Sequence, residues 1–371
     1  MTTLDNILDF TGGERFYRFG NADGKYWVVP ARGMRTALNL YQPSGIKGKL
    51  VKALLPCLHW LAVVRRLIKA ETMNCHLNRE LHGLLCKVFG VQDIEFAIFE
   101  GTPSASKKIT IQISIRDKIL GYCKISDEER ISELFEKEYN NLLWLNRKGV
   151  KGIPKGLYYG KINDVFLFVQ STQKSNSSKI AHSLTEQHIE FVNNISQATA
   201  SEIPIEKSDF YNDINYLESI FDNIRKDERP VFEQSIRYIK EHYETDNGYI
   251  FSFSHGDFTP WNMYLEDGKL QVFDLEFAAR TFPPRMDLIH FTLQTWILKD
   301  KLCADEIHPK LEIFKKKYGI NSTLTICYLT HILSFYFKLY NGNFDTNDNG
   351  YKTWCSLLKK QLDNTKWEKR L

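Results

Sequence analysis

Apolar and polar side chains alternate through one part of this chain and then change period. Residues 95–100 (EFAIFE) and 108–115 (KITIQISI) follow the two-residue rhythm of half-buried strands. Segments 120–125, 156–159 and 165–170 read as further strands. A single helix interrupts them over 127–147, where Leu134, Phe135, Leu142, Leu143 and Leu145 supply an apolar face. Ser126 or Asp127 can cap its start, and acids crowd its first turn. After a polar run at 171–179, helical spacing governs 184–198, 210–224 and 230–243. Strands first and helices later predict an α+β, bilobal architecture: a five-stranded antiparallel lobe, a mainly helical lobe and a cleft between them.

The chain has 371 residues, more than one ordinary domain holds. Three parts are expected: an N-terminal α/β accessory domain over 1–92, the strand-rich lobe over 93–172 and the helical lobe over 173–371. The first contains strand-like runs at 15–19 and 25–29, a turn-rich connection at 41–45 and a helix over 77–89 that Gly90 can end. A net charge of +4 is too small and too dispersed to point to nucleic acid. The seven cysteines form no CxxC pair, which argues against zinc and against a secreted disulfide framework. They fit a reducing, cytoplasmic setting, as does an N-terminus without a signal core.

Two apolar stretches invite comparison with membrane segments. Residues 324–340 carry His331 and Lys338 and read as a buried core helix. Residues 50–68 are interrupted by Lys52, Pro56, His59 and the Arg65-Arg66 pair, too polar for a span. With Lys47, Lys49 and Lys69 nearby, the region 46–70 also has the composition of a helix lying on the inner face of an anionic membrane. A helix packed on its own domain with a solvated basic face is the simpler expectation.

The chemistry concentrates in His255-Gly-Asp-Phe-Thr-Pro-Trp-Asn262 and, shortly after, Val272-Phe-Asp-Leu-Glu276. One carboxylate on a loop can take the proton of an attacking hydroxyl. An amide and a second carboxylate can hold magnesium against a triphosphate. Asp257 is the candidate base; Asn262 and Asp274 are the candidate metal ligands. Glu276 is open to a metal, substrate or structural role. Lys124 stands in a strand, and Glu138 follows fourteen residues later on the next helix, the arrangement of a phosphate clamp. Small residues at 101–106, among them Gly101, Thr102 and Ser104, occupy a hairpin tip where backbone N–H groups can approach phosphates. Residues 170–172, with Gln170 and Thr172, stand where a hinge would pair with an adenine edge.

These residues resemble the aminoglycoside phosphotransferase and choline kinase family, which shares the protein-kinase-like fold. Its signature, His-Gly-Asp-x4-Asn followed by a metal-binding aspartate, stands intact as His255-Gly256-Asp257 with Asn262 and then Asp274. The resemblance covers residues 95–300 and implies ATP and Mg2+ as cofactors and a small-molecule hydroxyl as acceptor. It implies that Asp257 is the base, that His255 is scaffold and that Asp287 braces the loop, a helix cap being the alternative for Asp287. More loosely, the run at 37–44 resembles phosphotransferases found with bacterial surface-polysaccharide genes, which implies a sugar or glycan precursor as substrate.

The acceptor is less legible. Acids at Asp300, Asp305, Glu306, Glu312, Asp345 and Asp348 are interspersed with lysines, unlike the dense carboxylate surface that binds aminoglycosides. Trp296, Tyr328, Phe335, Tyr336, Phe337 and Tyr340 are candidates for a choline or ethanolamine cage, although such a stripe is also what a core helix carries. Trp261 and Phe258 flank the base, with packing as their expected role. An active small-molecule kinase and a pseudokinase-type binding module are the readings that these residues separate.

Overall fold

The computed structural model describes residues 4–43, 45–102, 107–243, 248–340 and 348–368. The chain forms two compact units. The first comprises Met1–Arg147, Lys151–Ile180 and Tyr264–Glu276; the second comprises Lys148–Val150, Ala181–Met263 and Phe277–Leu371.

The first unit is built on eight strands: β1 (Leu8–Gly20), β2 (Tyr26–Pro30), β3 (Glu71–Leu77), β4 (Glu95–Phe99), β5 (Ile109–Ile115), β6 (Lys118–Ser126), β7 (Gly156–Ile162) and β8 (Val165–Ser171). They form one sheet in the order β3-β1-β2-β4-β5-β6-β8-β7. Strands β4 to β8 are the five expected from the alternation. The first three extend the same sheet, because β2 pairs antiparallel with β4 through Trp27 against Phe99 and Val28 against Ile98. Phe16, Val28, Ile98, Ile111 and Val169 then lie in one apolar cluster. Residues 1–92 and 93–172 therefore share a sheet and a core, where the sequence suggests two bodies. The helical lobe expected over 173–371 also gives up Tyr264–Glu276 to the first unit.

Five helices accompany the sheet: α1 (Met34–Ala37), α2 (Ile46–Leu58), α3 (Ala62–Leu67), α4 (Arg79–Phe89) and α5 (Glu129–Arg147). The Asn78 side chain caps α4 by accepting from Leu81 N at 2.8 Å, and Gly90, in the left-handed region at φ 68°, ends it. Ser126 Oγ accepts from Glu128 N at 3.1 Å just ahead of α5. Ile131, Phe135, Glu138, Leu142 and Leu145 form the buried stripe of that helix, so helical spacing alone carries Glu138 into the interior.

The second unit is mainly helical: α6 (Glu186–Thr199), α7 (Asp209–Ser219), α8 (Arg229–Tyr243), α9 (Met286–Gln294), α10 (Ala304–Tyr318), α11 (Ser322–Leu339) and α12 (Asn349–Glu368). A short sheet places Tyr249–Ser254 between Ala279–Phe282 and Ser201–Ile203. Helix α11 is buried along most of its length, which accounts for its apolar run. No helix among the described residues is long and apolar enough to cross a membrane. The histidine and the lysine of that run meet one partner on α7: His331 Nδ1 lies 2.5 Å from Asp213 Oδ2, and Lys338 Nζ pairs with Asp213 Oδ1.

Burial works against ionising the Asp213 carboxyl, but His331 and Lys338 outweigh it and hold the pKa below its ordinary 3.8. Asp213→Asn leaves both partners without a counter-charge inside the helical unit and should cost on the order of 3 kcal/mol in denaturant unfolding. A depressed aspartate pKa stabilises the fold above its unfolded value. The stability gap between the two proteins should thus be complete above pH 3.8 and should close as pH falls through the lower native pKa. Equal unfolding midpoints at neutral pH would show that the cluster contributes nothing.

Candidate active site

In the first unit, a two-stranded ribbon, Met263–Glu266 with Lys269–Val272, delivers the chain to Asp274. Val272 N donates to Gly152 O at 2.8 Å and fixes the end of the ribbon. Asp274 has φ 69°, a left-handed conformation that a short polar side chain tolerates and that recurs at functional sites. Its carboxylate meets Lys124: Nζ donates to Asp274 Oδ1 at 2.5 Å and to Glu138 Oε2 at 2.6 Å. The other Glu138 oxygen accepts from Leu275 N at 3.2 Å, so this one carboxylate holds both the lysine and the backbone beside Asp274. Lys124 and Glu138 are 5% and 0% exposed. Burial alone would discharge Lys124. Asp274, Glu138 and Glu276 outweigh it and raise the ammonium pKa well above its usual value.

A second lysine enters the same cluster, unannounced by the sequence. Lys108 Nζ donates to Asp274 Oδ1 at 3.3 Å and also bonds Glu276 Oε2. In the sequence it reads only as the first residue of a strand. The Glu276 carboxyl is raised by burial and by Asp274, against the pull of Lys108 and Lys124. Among the described residues no three His, Cys, Asp or Glu side chains form a metal-binding group. The Asp274–Glu276 pair fits a hard cation that keeps waters and binds phosphate alongside few protein oxygens.

Gly101 begins the β4–β5 connection with φ 87°, and a Cβ there would lie 2.4 Å from Lys108 O, so only glycine fits. Thr102 is exposed beside it, and Ser104 lies outside the described residues. Gln170 pairs with Tyr122 inside the sheet, with its side-chain oxygen buried. Thr172 N donates to Leu120 O at 3.2 Å, and its hydroxyl lies 2.9 Å from Tyr264 OH. Ser171 N is likewise taken by Lys155 O at 2.9 Å. These N–H groups are committed within the protein, so Ser171 and Thr172 do not offer them to a nucleobase.

In the second unit, strand Tyr249–Ser254 runs into the His255 loop. Asp287, in the first turn of α9, braces that loop. Its carboxylate accepts from His255 N at 2.9 Å, Ser254 Oγ at 2.9 Å and Gly256 N at 3.4 Å. Gly256 adopts φ 80°, and a Cβ on it would fall 2.4 Å from Phe277 O. His255 is buried, and its Nδ1 accepts from Asp257 N at 3.2 Å, a scaffold role. Asn262 Nδ2 donates to Asp257 Oδ2 at 2.7 Å and to Asp257 O at 3.0 Å. Both bonds use the amide NH2, and the amide oxygen is the donor that a cation would take.

Sequence reading missed His290, whose Nε2 lies 3.2 Å from Asp257 Oδ1. The available signal was its position three residues after Asp287, on the same face of α9. His290 Nδ1 lies 3.3 Å from the buried Tyr328 OH. Tyr328 is therefore packing, as are Phe337 and the Tyr336 ring stacked 4.6 Å from Trp354. Glu306 caps its own helix at Cys303 N, and Glu312 binds Lys315 and Gln361. Phe258 is buried and stacked on Phe191, whereas Trp261 is 44% exposed four residues after the candidate base.

The structure thus assembles Lys124, Glu138 and Asp274 in the first unit, and His255, Asp257, Asn262 and Asp287 in the second. The chain passes between the units at Met263–Tyr264 and returns at Glu276–Phe277. Asp287→Ala should strip the partners from two backbone N–H groups and a buried hydroxyl. A stability loss of roughly 2–4 kcal/mol is expected in denaturant unfolding, and a loss under ~0.5 kcal/mol would show that the brace is idle.

No protein-family model and no curated protein sequence matches the chain. Solved structures match at the level of fold. A thermostable mutant of aminoglycoside phosphotransferase APH(4)-Ia in its apo form superposes with a TM-score of 0.51 at 11% identity, over 76% of this chain and 99% of that one. A further variant of that mutant, in a ternary complex with AMP-PNP and hygromycin B, gives 0.51 at 13% identity, over 77% and 99%. Another, in a ternary complex with ADP and hygromycin B, gives 0.50 at 11%, over 76% and 98%. The chain has the fold of these phosphotransferases, an antiparallel sheet unit followed by a helical one.

Proposed function

We propose that this chain is an ATP-dependent phosphotransferase that moves the γ-phosphate to a hydroxyl of a small molecule, a sugar or glycan precursor. The observation that carries the reading is Asp257, fixed on a braced loop by Asn262 and His290 with its carboxylate 31% exposed. In the reaction the acceptor oxygen bonds to the γ-phosphorus, the bond to the bridging oxygen breaks, ADP leaves and Asp257 takes the hydroxyl proton. Lys124, kept charged by its carboxylates, grips the nucleotide phosphates, and Glu138 keeps the lysine in place. Gly101 and Thr102 stand at the connection that would cover the phosphates, and the Gln170–Thr172 segment would border the nucleobase. Asn262, Asp274 and Glu276 are the oxygen donors that would hold magnesium, which neutralises phosphate charge when bound. The chain's own residues then do the positioning on which a loose transition state depends.

The sugar acceptor is supported by Trp261, an exposed ring four residues after Asp257 of the kind that stacks on a pyranose face. The looser likeness of residues 37–44 to surface-polysaccharide phosphotransferases points the same way. Within the structure that run packs: Ala37 and Leu38 are buried, and Leu40 O accepts from Trp27 Nε1 at 3.3 Å. The choline reading loses support because Tyr328 and Phe337, two of its cage candidates, lie in the core. An aminoglycoside acceptor is the second reading, favoured by the hygromycin B complexes of the similar structures.

Asp257→Asn should lower turnover by ~10²–10⁴-fold while nucleotide affinity stays nearly unchanged. Lys124→Met should weaken nucleotide binding, measured by calorimetry with AMP-PNP. Full turnover in the Asp257 variant would end the reading, and the absence of nucleotide binding by the unmodified protein would favour a non-catalytic module. His290→Ala should lower kcat by about tenfold or more through a misplaced base, with partial recovery in His290→Gln and little change in KM. An acceptor panel read by mass shift identifies the substrate, and phosphate on aminoglycosides alone would remove the sugar.

A further inference from the structure

Helices α2 and α3 are apolar on both sides. Their inner sides place Val51, Leu55, Val64 and Ile68 against the cluster that holds Trp27, Leu38 and Tyr41. Their outer sides carry Ile46, Leu50 and Leu54 on α2, spaced by four, and Val63 and Leu67 on α3, with Trp60 on the turn between the two helices. These six side chains are 50–79% exposed. Single exposed apolar residues are ordinary on protein surfaces, but six large ones within 22 consecutive residues are not. The helices pack on their own unit as expected, and two of the cations turn inward. Lys52 Nζ donates to Tyr41 O at 2.8 Å, and Arg65 Nη1 donates to His59 O and Trp60 O at 2.8 and 2.7 Å.

The remaining cations, Lys47, Lys49, Arg66 and Lys69, are exposed around the apolar stripes. No acidic residue occurs between Asp23 and Glu71. We infer that this face docks on an anionic lipid bilayer. The apolar stripes enter the boundary between headgroups and acyl chains, Trp60 sits at the headgroup level and the four cations meet lipid phosphates. A second copy of the chain is a poorer occupant, since a two-fold interface would press the same acid-free, cationic segment against itself.

Flotation of the full chain with vesicles tests the inference, independently of any activity. Binding to phosphatidylcholine vesicles containing phosphatidylglycerol should exceed binding to pure phosphatidylcholine by about tenfold or more, and should weaken with salt. Leu50→Glu with Leu67→Glu should abolish flotation while circular dichroism and Tm stay as in the parent, because both side chains face outward. Lys49→Glu with Lys69→Glu should abolish the preference for anionic lipid. The inference is overturned if the parent does not float, if the leucine variants float equally, or if the face instead drives a concentration-dependent dimer that those variants dissolve.

Discussion

A buried ammonium held by carboxylates organises the first unit. Lys124 reaches Glu138 on α5 and Asp274 after the ribbon, and Glu138 also binds the backbone at Leu275. A strand, the helix that follows it and a ribbon 150 residues further on are thereby tied at one point. Taking such charges out of water is costly, so the cluster is a weak source of stability and a strong source of position. Removing Lys124 leaves Glu138 buried without its cation, so strand and helix must arrive together. Lys108 adds a second cation to the same acids.

The second unit solves a different problem, holding an irregular loop still. Its device is backbone capture: one carboxylate, Asp287, accepts from consecutive N–H groups at His255 and Gly256. A left-handed glycine lets the loop pass within contact of Phe277. Asn262 then bonds the side chain and the carbonyl of Asp257 at once. Rigid placement of this kind is what positions a reacting group without a regular element beneath it.

Much of this is legible in the sequence. Alternation of residue type marks β5 although Gln112 and Ser114 on its polar face are buried too, and the spacing of α5 carries Glu138 inward with its apolar neighbours. The His255 motif announced itself by residue type. What stayed hidden depends on partners remote in sequence. Only Cys75 and Leu77 are buried in β3, which leaves too little pattern to read. A break in register between Asp9 and Glu14 hides the true length of β1. Lys108 and His290 look like ordinary strand and helix residues until the fold supplies Glu276 and Asp257. The outward leucines of α2 stay hidden because periodicity shows that a face is apolar, not which way it points.

The pairing of β2 with β4 carries a consequence for the sheet's borders. In a five-stranded sheet β4 would be an outer strand, its ladder groups open to any passing chain and its residues Phe96, Ala97 and Ile98 attractive to it. The N-terminal strands move that border to β3, where Glu71, Thr72, Asn74 and His76 are exposed. The first ninety residues thus cover a strand edge that trimming the chain at a presumed domain boundary would open to other chains.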